Sequence, residues 1–190
     1  MNNPQINIDW DAIFMTMAFA AARASRCVSR NVGVVITQDN HVIATGANNT
    51  PADTTKCDAL FPPKTDPKFN RGEHHEFSND HEVHAEMNAM LSLLGRGGYD
   101  LRRATLYSTL KPCANCLKHI IEVGIPRVVY AEDYDLGGYG PYMNRMIFES
   151  DIQLEYKPIL NEDLLVKTAL DINHANEIYA QIIKNQKTRQ

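Results

Sequence analysis

The chain reads as an α/β protein. A β-hairpin signal stands early in the sequence, and after it strand and helix patterns alternate in the way that calls for parallel strands joined by crossover helices. Size sets the bound: 190 residues, 44% hydrophobic with a single tryptophan, suit one domain with its own core, so 1–190 is expected to be a single domain.

The elements follow in order. Asp9 or Asp11 caps a first helix running to about Arg26, with Ile13, Met17, Ala20, Ala21 and Ala24 on one face. The β-branched runs VGVVIT (32–37) and HVIATGA (41–47), separated by Gln38, Asp39 and Asn40, make the hairpin. Residues 48–80 are rich in Asn, Asp, Thr, Pro, Lys and His and show no clear period. A structureless stretch of that length is unusual in a compact domain and points to a functional or locally cross-linked segment. A helix is expected from Glu82 to Leu94, stopped by Gly95, Gly97 and Gly98. ATLYSTL then gives a strand, Cys113 to Val123 a helix ended by Gly124, and RVVYA a further strand. A Tyr/Gly-rich loop (134–142), a helix near 143–149, a short strand IQLEY and a C-terminal helix from about Asn161 complete the order, with KNQKTRQ as a frayed tail.

The net charge of −4 argues against a protein that wraps nucleic acid, which needs a dense Lys/Arg surface. A small anionic substrate held by a few local cations remains compatible with it. The apolar run from Ile13 to Ala22 is half the roughly 20 residues that span a bilayer, and the first nine residues are polar, unlike a signal peptide. No membrane partner is expected, and the cytoplasm is the expected compartment. There the four cysteines are metal ligands, catalytic groups or plain buried thiols rather than disulfides.

Cys113 and Cys116 follow Pro112 after the strand ATLYSTL, at the start of the next helix. The partial positive charge of a helix N-terminus favours thiolate, the form that binds metal. A thioredoxin-like pair would need a different order of elements, and a zinc ribbon a second C-x-x-C; the sequence has neither. His84 supplies a third ligand, so a histidine and two thiolates leave the fourth position of a tetrahedral zinc open for water. Two residues on, Glu86 can approach that water without being a ligand and move its proton, while zinc lowers the water's pKa toward ~7. The H-x-E…P-C-x-x-C spacing is the signature of the zinc deaminases.

Cys27 and Cys57 remain. Buried thiols are the ordinary reading of free cysteines. Cys57, however, stands in DTTKCDAL, flanked by Lys and Asp, and the same segment leads into RGEHHEFSNDHEVH. Two thiols, one imidazole and the Glu82 carboxylate would suit a second zinc and order the 48–80 segment as a zinc-stabilised insertion, with His74, His75 and His81 competing for the imidazole role.

VHAEMNAM and LYSTLKPCANCLKHIIEVGIPRVVYAEDYD resemble the core of the cytidine deaminase-like superfamily, and specifically its deoxycytidylate (dCMP) deaminases. The likeness runs from about Ser25 to Leu154, with SRCVSRNVGVVIT and GANNTP in the places of two further family segments. The resemblance implies a three-layer αβα sandwich around a central mixed five-stranded sheet. It also implies hydrolysis of dCMP to dUMP and ammonia, supplying dUMP for thymidylate synthesis. By the same resemblance His84, Cys113 and Cys116 hold the catalytic zinc, and Glu86 carries protons from water to N3 and then to the leaving amine. The virus-encoded, phage-type enzymes look most similar, and they imply a structural zinc on Cys27, Cys57, His74 and Glu82. A viral source would make the compartment the host cytoplasm.

Asn48 matches the asparagine of the family's Gly-Tyr-Asn-Gly motif, which suggests hydrogen bonds to sugar or phosphate. Arg26 and Arg30 flank Cys27 and are candidates for the 5′-phosphate, and Tyr134 occupies the place of a family tyrosine near the substrate. Ala47 and Asn49 replace the Tyr and second Gly of that motif, in a region family members use for response to dCTP, an activator, and dTTP, an inhibitor. Such a triphosphate would bring Mg²⁺, and the family implies a hexamer. The competing readings are a deaminase of another amino-heterocycle or of a 5-substituted dCMP, and a catalytically silent zinc-stabilised binding module. Glu86 weighs against the last, since a silent module has no use for a proton shuttle.

Overall fold

A computed structural model describes residues 9–94, 97, 99–133 and 138–158. Its elements are α1 (Trp10–Ala22), β1 (Gly33–Gln38), β2 (His41–Ala47), α2 (Cys57–Leu60), α3 (Arg71–His81), α4 (Ala85–Leu91), β3 (Ala104–Leu110), α5 (Ala114–Glu122), β4 (Arg127–Glu132), α6 (Pro141–Ser150) and β5 (Gln153–Tyr156). The strands form one five-stranded sheet in the order β2-β1-β3-β4-β5. β1 pairs antiparallel with both β2 and β3, whereas β3, β4 and β5 run parallel, so the sheet is mixed. The hairpin turn falls on Asp39 and Asn40, whose φ of 51° and 60° match a two-residue turn with both central residues left-handed.

Helices cover both faces. Side chains alternate along a strand, so Gly33 and Val34 face opposite ways. A Cβ on Gly33 would overlap the backbone of Ala18 and Ala22 in α1, and one on Gly46, which pairs with Val34, would overlap that of Ala85 and Ala89 in α4. Each glycine thus lets one helix lie directly on the sheet. The main core lies on the α4 and α5 side, where Val34, Ile36, Leu106 and Val128 meet Ala85, Ala89, Leu117 and Ile120.

Three sequence expectations are corrected. α1 is capped by Asp9, whose side chain accepts from the Ala12 amide, but it ends at Ala22 rather than near Arg26. It buries Phe14, Met15, Ala18 and Ala22, while Ile13 and Met17 of the expected inner face are 42% and 40% exposed. The helix is apolar on both sides, so period alone does not choose; small residues face in where the sheet at Gly33 comes closest. The helix expected from Glu82 begins instead at Ala85 and ends at Leu91, because residues 82–84 are extended and Val83 forms a bridge with Asn49. Finally, the 48–80 segment contains α2 and most of α3. α3 is polar nearly all round and lacks the apolar stripe that period analysis detects, although Asn70 caps it through the amides of Gly72 and Glu73.

The expected C-terminal helix from Asn161 and the stop at Gly95 and Gly98 lie outside the described residues. No helix among the described residues is long and apolar enough to cross a membrane.

Candidate metal centres and active site

The reacting groups are gathered by two helix starts. His84 is the N-cap residue of α4 and Cys113 that of α5, both with extended backbone, and Cys116 follows in the first turn of α5. The His84 Nδ1 lies 3.4 Å from the Sγ of Cys113 and 3.4 Å from that of Cys116. The three donor atoms lie within 4.8 Å of one another, a spacing that one ion can bridge.

The local electrostatics suit a cation. The hydrogen bond with Cys116 holds the Cys113 thiol down at about 4 against the opposing effect of burial, and His84 adds to the lowering. Cys116 is pushed far up, first by the neighbouring Cys113 sulfur and then by burial. One proton is in effect shared by two sulfurs, and a bound cation would replace it. Glu86, only 4% exposed beside Cys116, has its carboxyl raised above the ordinary 4.5, chiefly by burial.

A second cluster stands alongside. Cys27, Cys57, His74 and Glu82 also bring one donor atom each within 4.8 Å. The His74 Nε2 is 3.5 Å from the Cys27 Sγ and 3.3 Å from that of Cys57. His75 and His81, the other imidazoles considered, are exposed; His75 pairs with Asn79 and His81 stacks on Phe77. Ser78 donates to Glu82 Oε2 at 2.7 Å, yet Glu82 Oε1 is buried without a hydrogen-bond partner. Burial raises the Cys27 thiol, pushes Cys57 up to about 12 and lowers His74. Buried thiols and a buried carboxylate oxygen with no partner are costly in an apo protein, and the donor set fits zinc.

Cys27, His74 and Glu82 of one cluster and His84 and Cys113 of the other line one cleft of about 450 Å³ together with Glu86, within the range of small-molecule sites. Asn48 and Arg30 line it as well. The Asn48 side chain already accepts from the Val32 amide at 2.8 Å and donates to the Arg30 carbonyl at 3.0 Å, so it fixes the backbone that carries Arg30. Arg26 is not among the lining residues and pairs with Asp58 at 2.8 Å. Ala47 ends β2, and Asn49 hydrogen-bonds the Ala24 carbonyl and bridges Val83. Tyr134 lies outside the described residues.

Sequence reasoning did not single out Lys64, Arg71, Ser78, Lys111 or Asp133, which also line the cleft. A signal existed for α3: Arg71, His74, His75 and Ser78 recur at i, i+3, i+4 and i+7, which marks one helical face even though that face is polar. Lys111 is tied to Asp133 at 3.1 Å and sits over the rings of Tyr130 and Tyr139.

A carboxylate held beside a His-Cys-Cys donor set on this sheet defines the class, the zinc-dependent deaminases. The profile of the cytidine and deoxycytidylate deaminase zinc-binding region matches residues 8–132. The deoxycytidylate deaminase of Enterobacteria phage T2 is 34% identical over 149 residues, covering 64% of this chain and 79% of that protein. That of Saccharomyces cerevisiae is 39% identical over 131 residues, covering 69% of this chain and 40% of the yeast protein. The dCMP deaminase of cyanophage S-TIM5, solved with dCMP and dUMP, has the same fold. It aligns with a TM-score of 0.58 at 22% identity, over 83% of this chain and 100% of the other. The chain belongs to the cytidine and deoxycytidylate deaminase family.

Proposed function

We propose that the chain converts dCMP and water to dUMP and ammonia. The observation that carries this reading is the meeting of His84, Cys113 and Cys116 beside the buried Glu86, in a cleft also lined by the cationic side chains of Arg30, Lys64, Arg71 and Lys111. His84, Cys113 and Cys116 would hold the catalytic zinc, which when bound supplies a water acidified toward a pKa of about 7. Glu86 takes the proton from the attacking water and gives it to N3 of the cytosine as oxygen adds to C4. It then takes the second proton and delivers it to the 4-amino group. The C4–N bond breaks, ammonia leaves, and Glu86 returns to its starting state. Burial supports this role, since a carboxyl with a raised pKa holds a proton between the two transfers.

Cys27, Cys57, His74 and Glu82 would hold a second, structural zinc, so that the 48–80 segment is a metal-stabilised insertion in one domain. The partnerless Glu82 Oε1 supports this. Activation by dCTP with Mg²⁺, inhibition by dTTP, a hexameric assembly and a cytoplasmic location rest on the family resemblance. Rate curves with each triphosphate and sedimentation of the purified protein test the regulation and the assembly.

The activity itself is tested by following cytosine absorbance and ammonia release with dCMP, deoxycytidine, dCTP and 5-methyl-dCMP in parallel. Turnover of the monophosphates is the expected result. No turnover of any of them by zinc-loaded protein would overturn the reading.

A further inference from the structure

Resting on the reading of dCMP as substrate, we propose that Lys64 and Arg71, both on the insertion, form with Arg30 an anion subsite that reads the 5′-phosphate. The insertion is then a wall of the substrate cleft as well as a metal-bound segment.

The geometry begins with α3. Arg71, His74, His75 and Ser78 lie on one face of that helix, and all four line the cleft. His74 belongs to the Cys27-Cys57-Glu82 cluster, so the helix that this cluster fixes presents Arg71 one turn earlier to the same cleft. Lys64, between α2 and α3, lines it too.

Charge points the same way. Among the described residues, the carboxylates lining the cleft are Glu82, Glu86 and Asp133. Glu82 is bonded to Ser78 within the second cluster, Glu86 is buried beside Cys116, and Asp133 is paired with Lys111. No ion pair among the described residues uses Lys64 or Arg71. A protein with a net charge of −4 thus concentrates Arg30, Lys64 and Arg71 in one cleft. Focused positive charge of this kind raises the local concentration of an anion, and a guanidinium can bind phosphate through two parallel hydrogen bonds.

The test is calorimetric binding of dUMP and of deoxyuridine to the zinc-loaded wild type and the double variant Lys64→Ala, Arg71→Ala, beside KM and kcat for dCMP. The variant is expected to bind dUMP about tenfold or more weakly, the loss that follows from removing hydrogen bonds to a charged group, and to bind deoxyuridine unchanged. The rise in KM for dCMP should match the loss in dUMP affinity, with kcat holding within about twofold. Equal affinity for dUMP in the two proteins, or equal losses for dUMP and deoxyuridine, would overturn the subsite. Lys64→Met and Arg71→Gln, measured singly, carry the same test should the double variant not fold. A wild type that prefers dUMP to deoxyuridine but leaves dCMP intact would refute the deaminase reading and leave the subsite to be judged by binding alone.

Discussion

Glu82 and His84 are separated by one residue and belong to different clusters: Glu82 joins Cys27, Cys57 and His74, and His84 joins Cys113 and Cys116. The chain between them is extended, with Val83 bridged to Asn49, so both side chains reach the same cleft. A helix over these residues would have set them about 200° apart around its axis.

This arrangement makes the two donor clusters separable by mutation. Cys57→Ser is expected to remove one zinc per chain and keep the other, and His84→Ala to do the converse. α2 and α3 pack through a small ring cluster of Phe61, Phe69, His74 and Phe77, too little apolar surface to hold them alone. Limited proteolysis should therefore cut Cys57→Ser within 57–82 and leave His84→Ala intact there. Loss of both zincs, or of neither, in either variant would show that the clusters do not bind independently.

Gly46 tests how the sheet positions Glu86. A side chain at residue 46 has to displace α4, because its Cβ would fall on the backbone of Ala85 and Ala89. Gly46→Ala should cost about 1–3 kcal/mol in denaturant unfolding, as overpacked cores do. Glu86 lies between those two contacts, so kcat should fall as well. A variant with wild-type stability would mean that α4 is not seated on this glycine.

Asp11 anchors α1 to the far end of the sheet. Arg127 grips both its carboxylate oxygens at 2.9 and 2.8 Å, Tyr107 donates to it at 2.7 Å, and Lys157 contacts it as well. Chiefly through Arg127, the carboxyl is held well below its ordinary 3.8. A lowered pKa in the folded state gives stability that is present above the ordinary value and is lost as pH falls through the folded one. Asp11→Asn should therefore cost about 2 kcal/mol at neutral pH, the difference shrinking once the pH drops below about 4. A pH-independent difference in unfolding free energy would contradict the ion network.

Much of this fold was legible because its signals are local. ATLYSTL is β-branched and aromatic and becomes β3 over Ala104–Leu110, while Gly124, with φ of 82°, ends α5 where a left-handed residue is needed. The His84, Cys113 and Cys116 set could be read because each ligand type has few other reasons to recur at that spacing. α3 was not legible, since it meets its surroundings through the His74 donor cluster, cleft residues and a few rings instead of an apolar stripe. The burying face of α1 was decided by Gly33, a residue distant in sequence, and the break before Ala85 by the bridge to Asn49. Tertiary partners of this sort leave no period in the helix itself.

Glu86 is expected to move the protons of a dCMP hydrolysis whose metal is held by other residues. Zinc content and the rate of ammonia release from dCMP, measured together for the wild type and Glu86→Gln, test it most directly. Both proteins should carry the same zinc, and the wild type should yield one ammonia per dUMP. Glu86→Gln should lose about 10²–10⁴-fold in rate. A variant that keeps its zinc and the wild-type rate would contradict the account.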